Sequence, residues 1–256
     1  MISNAQRRRA DARRRAVIQQ SNVFARNLAS LRRRETERVI LLAQDTLEAR
    51  NWAQFFDTNF SEARYFPAWY KGLVMNTGKL GVTQAARDLI GKEAAKTIEY
   101  GIFENSLQSY AESRAGELIV TVSGTLKDNL KAEIYKALDE DINISVESMA
   151  QRLKQYAKNE LLWQARRIAQ TECLAGLAEG AHEAADSLNI DYLKTWSVSG
   201  LSNSRDTHLA MDGTRIEQDD WFVFPDCKMR FAHDIENGTA AETINCCCST
   251  IYEPKD

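Results

Sequence analysis

The stretch Ser204-Arg205-Asp206-Thr207-His208-Leu209-Ala210-Met211-Asp212-Gly213 decides the fold of this chain, together with Asn245-Cys246-Cys247-Cys248 further along. The first stretch puts an arginine, a histidine and a carboxylate close together, and its spacing predicts one helical turn over 207–211 after a turn-rich loop at 200–205. We expect Arg205 to pair with Asp212 or with Asp234. The imidazole of His208 would hydrogen-bond in the same network or bind a metal.

The consecutive cysteines make a zinc site one interpretation of this segment. In an extended segment, residues i and i+2 face the same side, so Cys246 and Cys248 share a face and Cys247 points away. Tetrahedral zinc would need two ligands more, and His208, Cys227 and His233 are available. We therefore take Cys246, Cys248, His208 and Cys227 as candidate ligands, and expect no cofactor besides zinc. The same residues allow a second interpretation, in which the thiols stay reduced and pack as small apolar groups.

The segment around these motifs is predicted to be a small, loop-rich module. Tyr192–Val198 alternates in the manner of a strand. Further short strands are predicted at 214–216, 222–224 and 251–252. This pattern predicts an α+β module over residues 190–256.

The residues before this module predict a helical protein. One or two long helices are expected over 5–50, where glycine and proline are absent. Thr83 is predicted to cap a helix that ends near Arg114, and Gly124 to separate it from a helix over 125–139. Ser145 is expected to cap a short helix. A long alanine-rich helix is expected after Asn159.

Residues 51–80 are rich in aromatic side chains, and Pro67 and several glycines lie in or beside the same segment. We expect this segment to form a core of helices joined by turns. A ligand pocket lined by the aromatic rings is the alternative. The predicted fold class is α+β, a mainly helical N-terminal body with a small C-terminal module. The predicted domains are a basic helical arm at 1–50, a helical body at 51–189 and the module at 190–256.

Charge is distributed unevenly along the chain. The first 40 residues contain eleven arginines and three acidic residues, a net charge of +8, whereas the whole chain carries −3. Guanidinium groups bind phosphate bidentately, so contact with a DNA or RNA backbone is one interpretation. A solvated helix end and docking to an acidic protein surface are the others. The candidate phosphate-binding residues are Arg7, Arg8, Arg9, Arg13, Arg14, Arg15, Arg32, Arg33 and Arg34.

Length and composition exclude several protein classes. The chain has 256 residues, 44% of them hydrophobic and 27% charged, which is typical of globular proteins rather than disordered ones. No uncharged apolar run approaches the length of a transmembrane helix. The five cysteines are an odd number, which argues against a secreted disulfide scaffold.

The motifs together resemble a known family. Residues 204–213 resemble the R-x-x-H-x-x-x-(D/N)-G signature of the phage Mu protein F-like minor head proteins, also called phage head morphogenesis proteins. Residues 229–234 resemble the family's apolar-Pro-x-Asp element, 245–248 its closing N-C-R-C, and 165–172 its R-x-x-x-I-A-R-T-E helix. Gln170, Ala232-His233 and Cys247 depart from the pattern. The residues carried over as the structural motif are Arg205, His208, Asp212, Gly213, Asp234 and Asn245.

The resemblance, which covers residues 115–252, implies a structural protein of a tailed phage and not an enzyme. Such a protein would associate with the portal protein and other head proteins, and would aid assembly or genome delivery. It would lie in the capsid interior near the portal, after assembly in the host cytoplasm, with no membrane contact before infection. The basic N-terminus independently suits non-specific contact with packaged double-stranded DNA.

Two other functions remain open from the sequence. The first is a metal-dependent hydrolase or nuclease that uses His208, Asp212 and Asp234. The second is a toxin-like effector built on the C-terminal His, Asp and Cys cluster.

Overall fold

The computed structural model describes residues 3–199 and 204–255. Most of the predicted loop at 200–205 lies outside the described residues. The fold class is α+β, as predicted: long helices make up the N-terminal part, and the strands found in the described ranges all follow residue 191. Within the described ranges, no helix has both the length and the apolar character that a membrane span requires.

The helices are longer and fewer than the sequence predicts. They are α1 (Asn4–Gln44), α2 (Trp52–Asn59), α3 (Phe66–Ile90), α4 (Gly101–Glu140) and α5 (Val146–Ser187). Short 3-10 turns lie at Ala49–Asn51, Glu62–Arg64 and Ala94–Thr97.

Three predicted helix boundaries are wrong. Thr83 lies inside α3, where its hydroxyl donates to the carbonyl of Lys79 at 2.9 Å instead of capping a new helix. Gly124 and Asn159 lie inside α4 and α5, so neither residue interrupts its helix. The break actually follows α3 at Gly91, whose φ of +82° suits glycine and ends the helix.

Ser145 caps α5 as predicted. Its hydroxyl accepts a hydrogen bond from the Ser148 amide at 3.1 Å, and its carbonyl accepts one from the Met149 amide at 3.0 Å. A serine that satisfies an amide of the first turn is a strong helix start signal, which is why the sequence sufficed here.

The chain forms two compact units that interleave along the sequence. One contains residues 1–22, 72–110 and 167–256, and the other contains 23–71 and 111–166. The predicted segment boundaries at residues 50 and 189 do not coincide with this division. Each of α1, α3, α4 and α5 continues from one unit into the other, and a continuous helix leaves no boundary signal in composition.

The 23–71 and 111–166 unit has an apolar core with aromatic residues from the 51–80 segment. Trp52, Phe56 and Phe60 are almost fully buried there. This agrees with the prediction that the aromatic segment packs as a core. Contrary to expectation, Pro67 and the glycines after it lie within α3 and do not form turns.

A buried ion pair in this unit removes Arg32 from the candidate phosphate-binding residues. Arg32 is 1% exposed, and its Nε donates to Glu62 Oε1 at 2.6 Å. Tyr65 also donates to Glu62, at 2.9 Å. Arg32 therefore neutralises a buried carboxylate and is not positioned to reach a phosphate.

In the unit that contains the C-terminal module, α3 and α5 approach closely through glycines. A Cβ built on Gly180 would lie 2.2 Å from the carbonyl oxygen of Gly78, and one on Gly81 would lie 2.0 Å from that of Leu177. Backbone fills the space that a side chain would need, so these positions require glycine.

The module is built on a three-stranded antiparallel sheet. Its strands are β1 (Tyr192–Ser197), β2 (Arg215–Glu217) and β5 (Ser249–Pro254), in the order β2-β1-β5. A second pair joins β3 (Phe222–Val223) to β4 (Lys228–Met229). Two short helices, α6 (Asp206–Met211) and α7 (Ala240–Thr243), lie in the connections. The sequence missed β4 and α7, and located the other elements to within a few residues.

We predict that Gly81→Ala destabilises the protein, whereas Gly72→Ala in the same helix does not. The first methyl group meets backbone, a clash that costs roughly 1–3 kcal/mol. The second meets no atom within 4 Å, and alanine is favoured over glycine in a helix by about 1 kcal/mol. Urea denaturation of both variants measures the difference. Equal stability of the two variants would contradict the close approach.

Candidate metal centre and the loops around it

His208, Cys246 and Cys248 converge in the interior of the module. One side-chain donor atom from each lies within 4.8 Å of the others. The Nδ1 atom of His208 is 3.2 Å from the sulfur of Cys248 and 3.6 Å from that of Cys246. All three residues are buried and both thiols are free. This is the one such group of three or more potential ligands among the described residues.

The loop that precedes the cysteines is held in an unusual conformation. Asn245 has a φ of +56°, a left-handed conformation that asparagine tolerates better than most residues. Its amide donates to the Thr171 hydroxyl of α5 at 3.2 Å, and Arg205 Nη2 donates to the carbonyl of Ile244 at 2.5 Å. These contacts reverse the chain and aim Cys246 and Cys248 toward His208.

Cys247 points away from the other two cysteines, as the alternation predicts. Its sulfur lies 3.5 Å from Nε2 of Gln170, on α5. Gln170 and Cys247 each replace an arginine of the family pattern. The two departures from that pattern are therefore in contact with each other.

Aromatic rings surround the imidazole. Trp196 and Phe224 each pack edge-on to His208, with ring centroids 5.5 Å away. On the other side of the imidazole, Nε2 lies 2.7 Å from Oε2 of Glu242, although the geometry is not aligned for a hydrogen bond. Thr207 donates to the same carboxylate oxygen at 3.0 Å. The ring is thus enclosed by apolar faces with a carboxylate at one edge.

The two buried thiols differ in acidity. Hydrogen bonding from the Cys246 thiol, against the opposing effect of burial, lowers the pKa of Cys248 to about 5, and His208 adds to the lowering. Burial raises the pKa of Cys246, and its hydrogen bond to Cys248 raises it further. The pair therefore favours one thiolate, at Cys248, with the proton retained on Cys246.

A cavity of about 250 Å³ opens beside the three residues. Arg205, Asn245 and Cys247 line it, together with Gln170 and Ser204. A ligand bound by the thiols would therefore be accessible from the cavity rather than sealed in the core.

Cys227 and His233, the other predicted ligands, are not part of the cluster. Cys227 is partly exposed and packs at the edge of the apolar core of the module. Nε2 of His233 lies 3.0 Å from the carbonyl of Cys248, a hydrogen bond to backbone. Burial lowers the pKa of His233 to about 4, so the ring is neutral near pH 7.

The expected pairing of Arg205 with Asp212 or Asp234 is wrong. Asp212 accepts two hydrogen bonds from Arg7 of α1, at 3.0 and 2.8 Å, and one from the Val198 amide at 2.9 Å. Asp234 binds Arg230 instead. Arg205 instead donates a hydrogen bond to the Ile244 carbonyl. The position of that carbonyl depends on the folded loop, so it cannot be found by pairing charges along the sequence.

Asp212 and Gly213 close the turn between α6 and β2. Burial alone would raise the pKa of Asp212, but the hydrogen bond from Arg7 and the Val198 amide bring it below its ordinary value. Gly213 has a φ of +81°, and its amide donates to the Trp196 carbonyl at 2.9 Å. Both motif residues therefore shape the fold at the edge of the sheet.

The predicted phosphate-binding arginines fall into two groups. Arg14 is buried and binds Asp11, Arg13 binds Asp88, and Arg7 and Arg32 bind carboxylates as described. Their side chains serve intramolecular contacts, so the set that can reach a phosphate is smaller than the sequence predicted. The exposed members are Arg8, Arg9, Arg15, Arg33 and Arg34.

The sequence missed Glu179 of α5, which lies close to the Arg230–Asp234 pair. Burial raises its pKa to about 7, against the opposing charge of Arg230, and the nearby carboxylates of Glu183, Asp234 and Glu236 raise it further. No motif marks this residue in the sequence, because its acidity depends on how deeply the helix is packed.

We predict that Glu179→Gln stabilises the protein more at pH 8 than at pH 5. Between about pH 4.5 and 7 the folded chain keeps a proton that the unfolded chain has lost, so the free energy of unfolding falls as pH rises. Each pH unit within that window lowers the free energy of unfolding by about 1.4 kcal/mol. Urea denaturation at both pH values measures the gain, and Glu160→Gln, at an exposed position of the same helix, gives the background. A gain that is equal at pH 5 and pH 8 would refute the assignment.

Comparison with known proteins finds one family model that matches part of the chain. Residues 128–251 match the family described as Phage Mu protein F like protein. No curated protein and no solved structure matches the chain significantly. The matched segment contains all three motif regions that meet at the Asn245 loop.

Proposed function

We propose that this chain, which carries a Phage Mu protein F-like domain over residues 128–251, acts at the portal inside the head of a tailed bacteriophage and contacts the packaged DNA. The family match indicates a phage head morphogenesis protein, a structural component rather than an enzyme, with other head components as partners and the virion as its location. Portal association, DNA contact and a part in genome delivery are the finer points of the proposal.

The family match is the observation that carries the proposal. The contacts of the motif residues support it, because these residues act on one loop. Thr171 and Arg205 both hold the loop at Asn245, although the three lie in separate motifs. A set of polar residues that positions one loop is a scaffold, and it supports a structural role. The alternative nuclease would need His208, Asp212 and Asp234 together, whereas Asp212 and Asp234 each bind a different arginine.

The exposed arginines of α1 support contact with DNA. Arg8 and Arg15 are seven residues apart and therefore lie on the same face of the helix, as do Arg26 and Arg33. Arg26 is exposed and was not in the predicted set. Exposed guanidinium groups bind phosphates, and phosphate contact without base contact gives binding that is independent of sequence.

The acidic C-terminal segment fits the same arrangement. Residues 201–256 contain five basic and eleven acidic residues, a net charge of −6, so they repel a polyanion. We infer that DNA is approached by α1, and that the acidic segment is available for contacts with protein.

We expect the chain to bind duplex DNA without sequence preference. Changing Arg8, Arg9 and Arg15 together to Gln should reduce the dependence of the DNA affinity on salt concentration. Each lost phosphate contact lowers the slope of log affinity against log salt concentration by about 0.9, so the triple variant should lower it by about 2–3. Fluorescence anisotropy with two unrelated duplexes measures it. The control removes three exposed positive charges elsewhere, at Lys136, Lys154 and Lys158. An unchanged slope, or an equal fall in the control, would argue against binding through α1.

Portal association is tested in particles. We expect chemical cross-linking of purified procapsids, followed by mass spectrometry, to link this chain to the portal protein and not to the tail. A chain that is missing from both procapsids and virions would overturn the proposal. Cross-links confined to the outer surface of the head would overturn the interior location.

A further inference from the structure

We propose that His208, Cys246 and Cys248 bind one zinc ion, with the fourth coordination position open to the adjoining cavity. This inference does not rest on the proposed function. It concerns three side chains of the module and the way in which they are supported.

The distances between the donor atoms match tetrahedral zinc. With Zn–S bonds of about 2.3 Å and Zn–N bonds of about 2.0–2.1 Å, a sulfur and a nitrogen ligand lie about 3.6 Å apart. The nitrogen of His208 lies 3.6 Å from one sulfur and 3.2 Å from the other. An ion can therefore be accommodated with shifts of a few tenths of an ångström.

The surroundings orient the ligands as metal sites do. A metal-binding histidine commonly places its second nitrogen against a carboxylate, which fixes the proton there and leaves the first nitrogen free to ligate. Glu242, itself held by Thr207, lies 2.7 Å from Nε2 of His208, near enough for this role once the ring turns into alignment with it. The Cys248 amide donates to the sulfur of Cys246 at 3.3 Å, an interaction that stabilises a thiolate.

The site has three protein ligands rather than four. Cys227 does not approach it, and among the described residues the cluster contains three members. The cavity of about 250 Å³ borders the two thiols, so a water molecule can complete the tetrahedron. We therefore assign the fourth position to solvent.

The ion would join parts of the chain that the sheet does not join directly. His208 lies on α6, and the cysteines lie just before β5, about forty residues later in the sequence. A zinc ion between them would fix the start of β5 against α6, and its open fourth position is the arrangement found in catalytic rather than structural zinc sites.

The test uses the full chain, purified under reducing conditions without a chelator. We expect elemental analysis to find one zinc per chain. After removal of the zinc, titration with Co²⁺ should give the intense visible absorption of a tetrahedral ion, with a thiolate charge-transfer band. Less than stoichiometric zinc together with no tetrahedral cobalt spectrum would overturn the assignment.

Matched cysteine variants identify the ligands. We expect Cys246→Ser and Cys248→Ser to lose stoichiometric zinc, and Cys247→Ser and Cys227→Ser to keep it. Should the first two variants fail to fold, the double variant Cys227→Ser/Cys247→Ser decides the question. It should retain the cobalt spectrum of the unchanged chain, and loss of that spectrum would place the ligands elsewhere.

Discussion

The C-terminal module depends on how the chain is held at Asn245. The backbone there takes a left-handed conformation, which costs energy for a residue other than glycine and persists only where neighbours fix it. Arg205 binds the carbonyl on one side of the reversal, and Thr171 accepts the amide hydrogen bond. Without these contacts the cysteines that follow would not face His208, and the turn would not lead into β5.

This dependence explains why the family motifs occur far apart in the sequence. The 165–172 segment supplies a hydroxyl, the 204–213 segment supplies a guanidinium and an imidazole, and the 245–248 segment supplies the loop that both of them hold. Each motif has little meaning alone, since a single threonine or arginine is common on any helix or loop. Their order along the chain carries the resemblance to the family, and their contacts show that the three segments meet at one loop.

Sequence reasoning succeeded where the signal was local. The Ser145 cap, strand β1 and the opposite orientation of Cys247 all follow from the conformation of a few neighbouring residues. It failed where a distant part of the chain decided the outcome. The partners of Arg205 and Asp212 were misassigned because Arg205 donates to the Ile244 carbonyl and Asp212 accepts from Arg7 of α1. Gly124 was expected to separate two helices and instead lies inside α4, since the cost of one glycine within a helix is modest.

The close approach at Gly78 and Gly180 has a consequence for which fragment of the chain can fold by itself. The segment that matches the family begins at residue 128, within α4, and leaves out α3, yet α5 meets α3 backbone to backbone. A fragment limited to the matched segment would lack α3 and expose the surface of α5 at Gly180 that α3 covers. An autonomous folding unit therefore includes α3 as well as the matched residues.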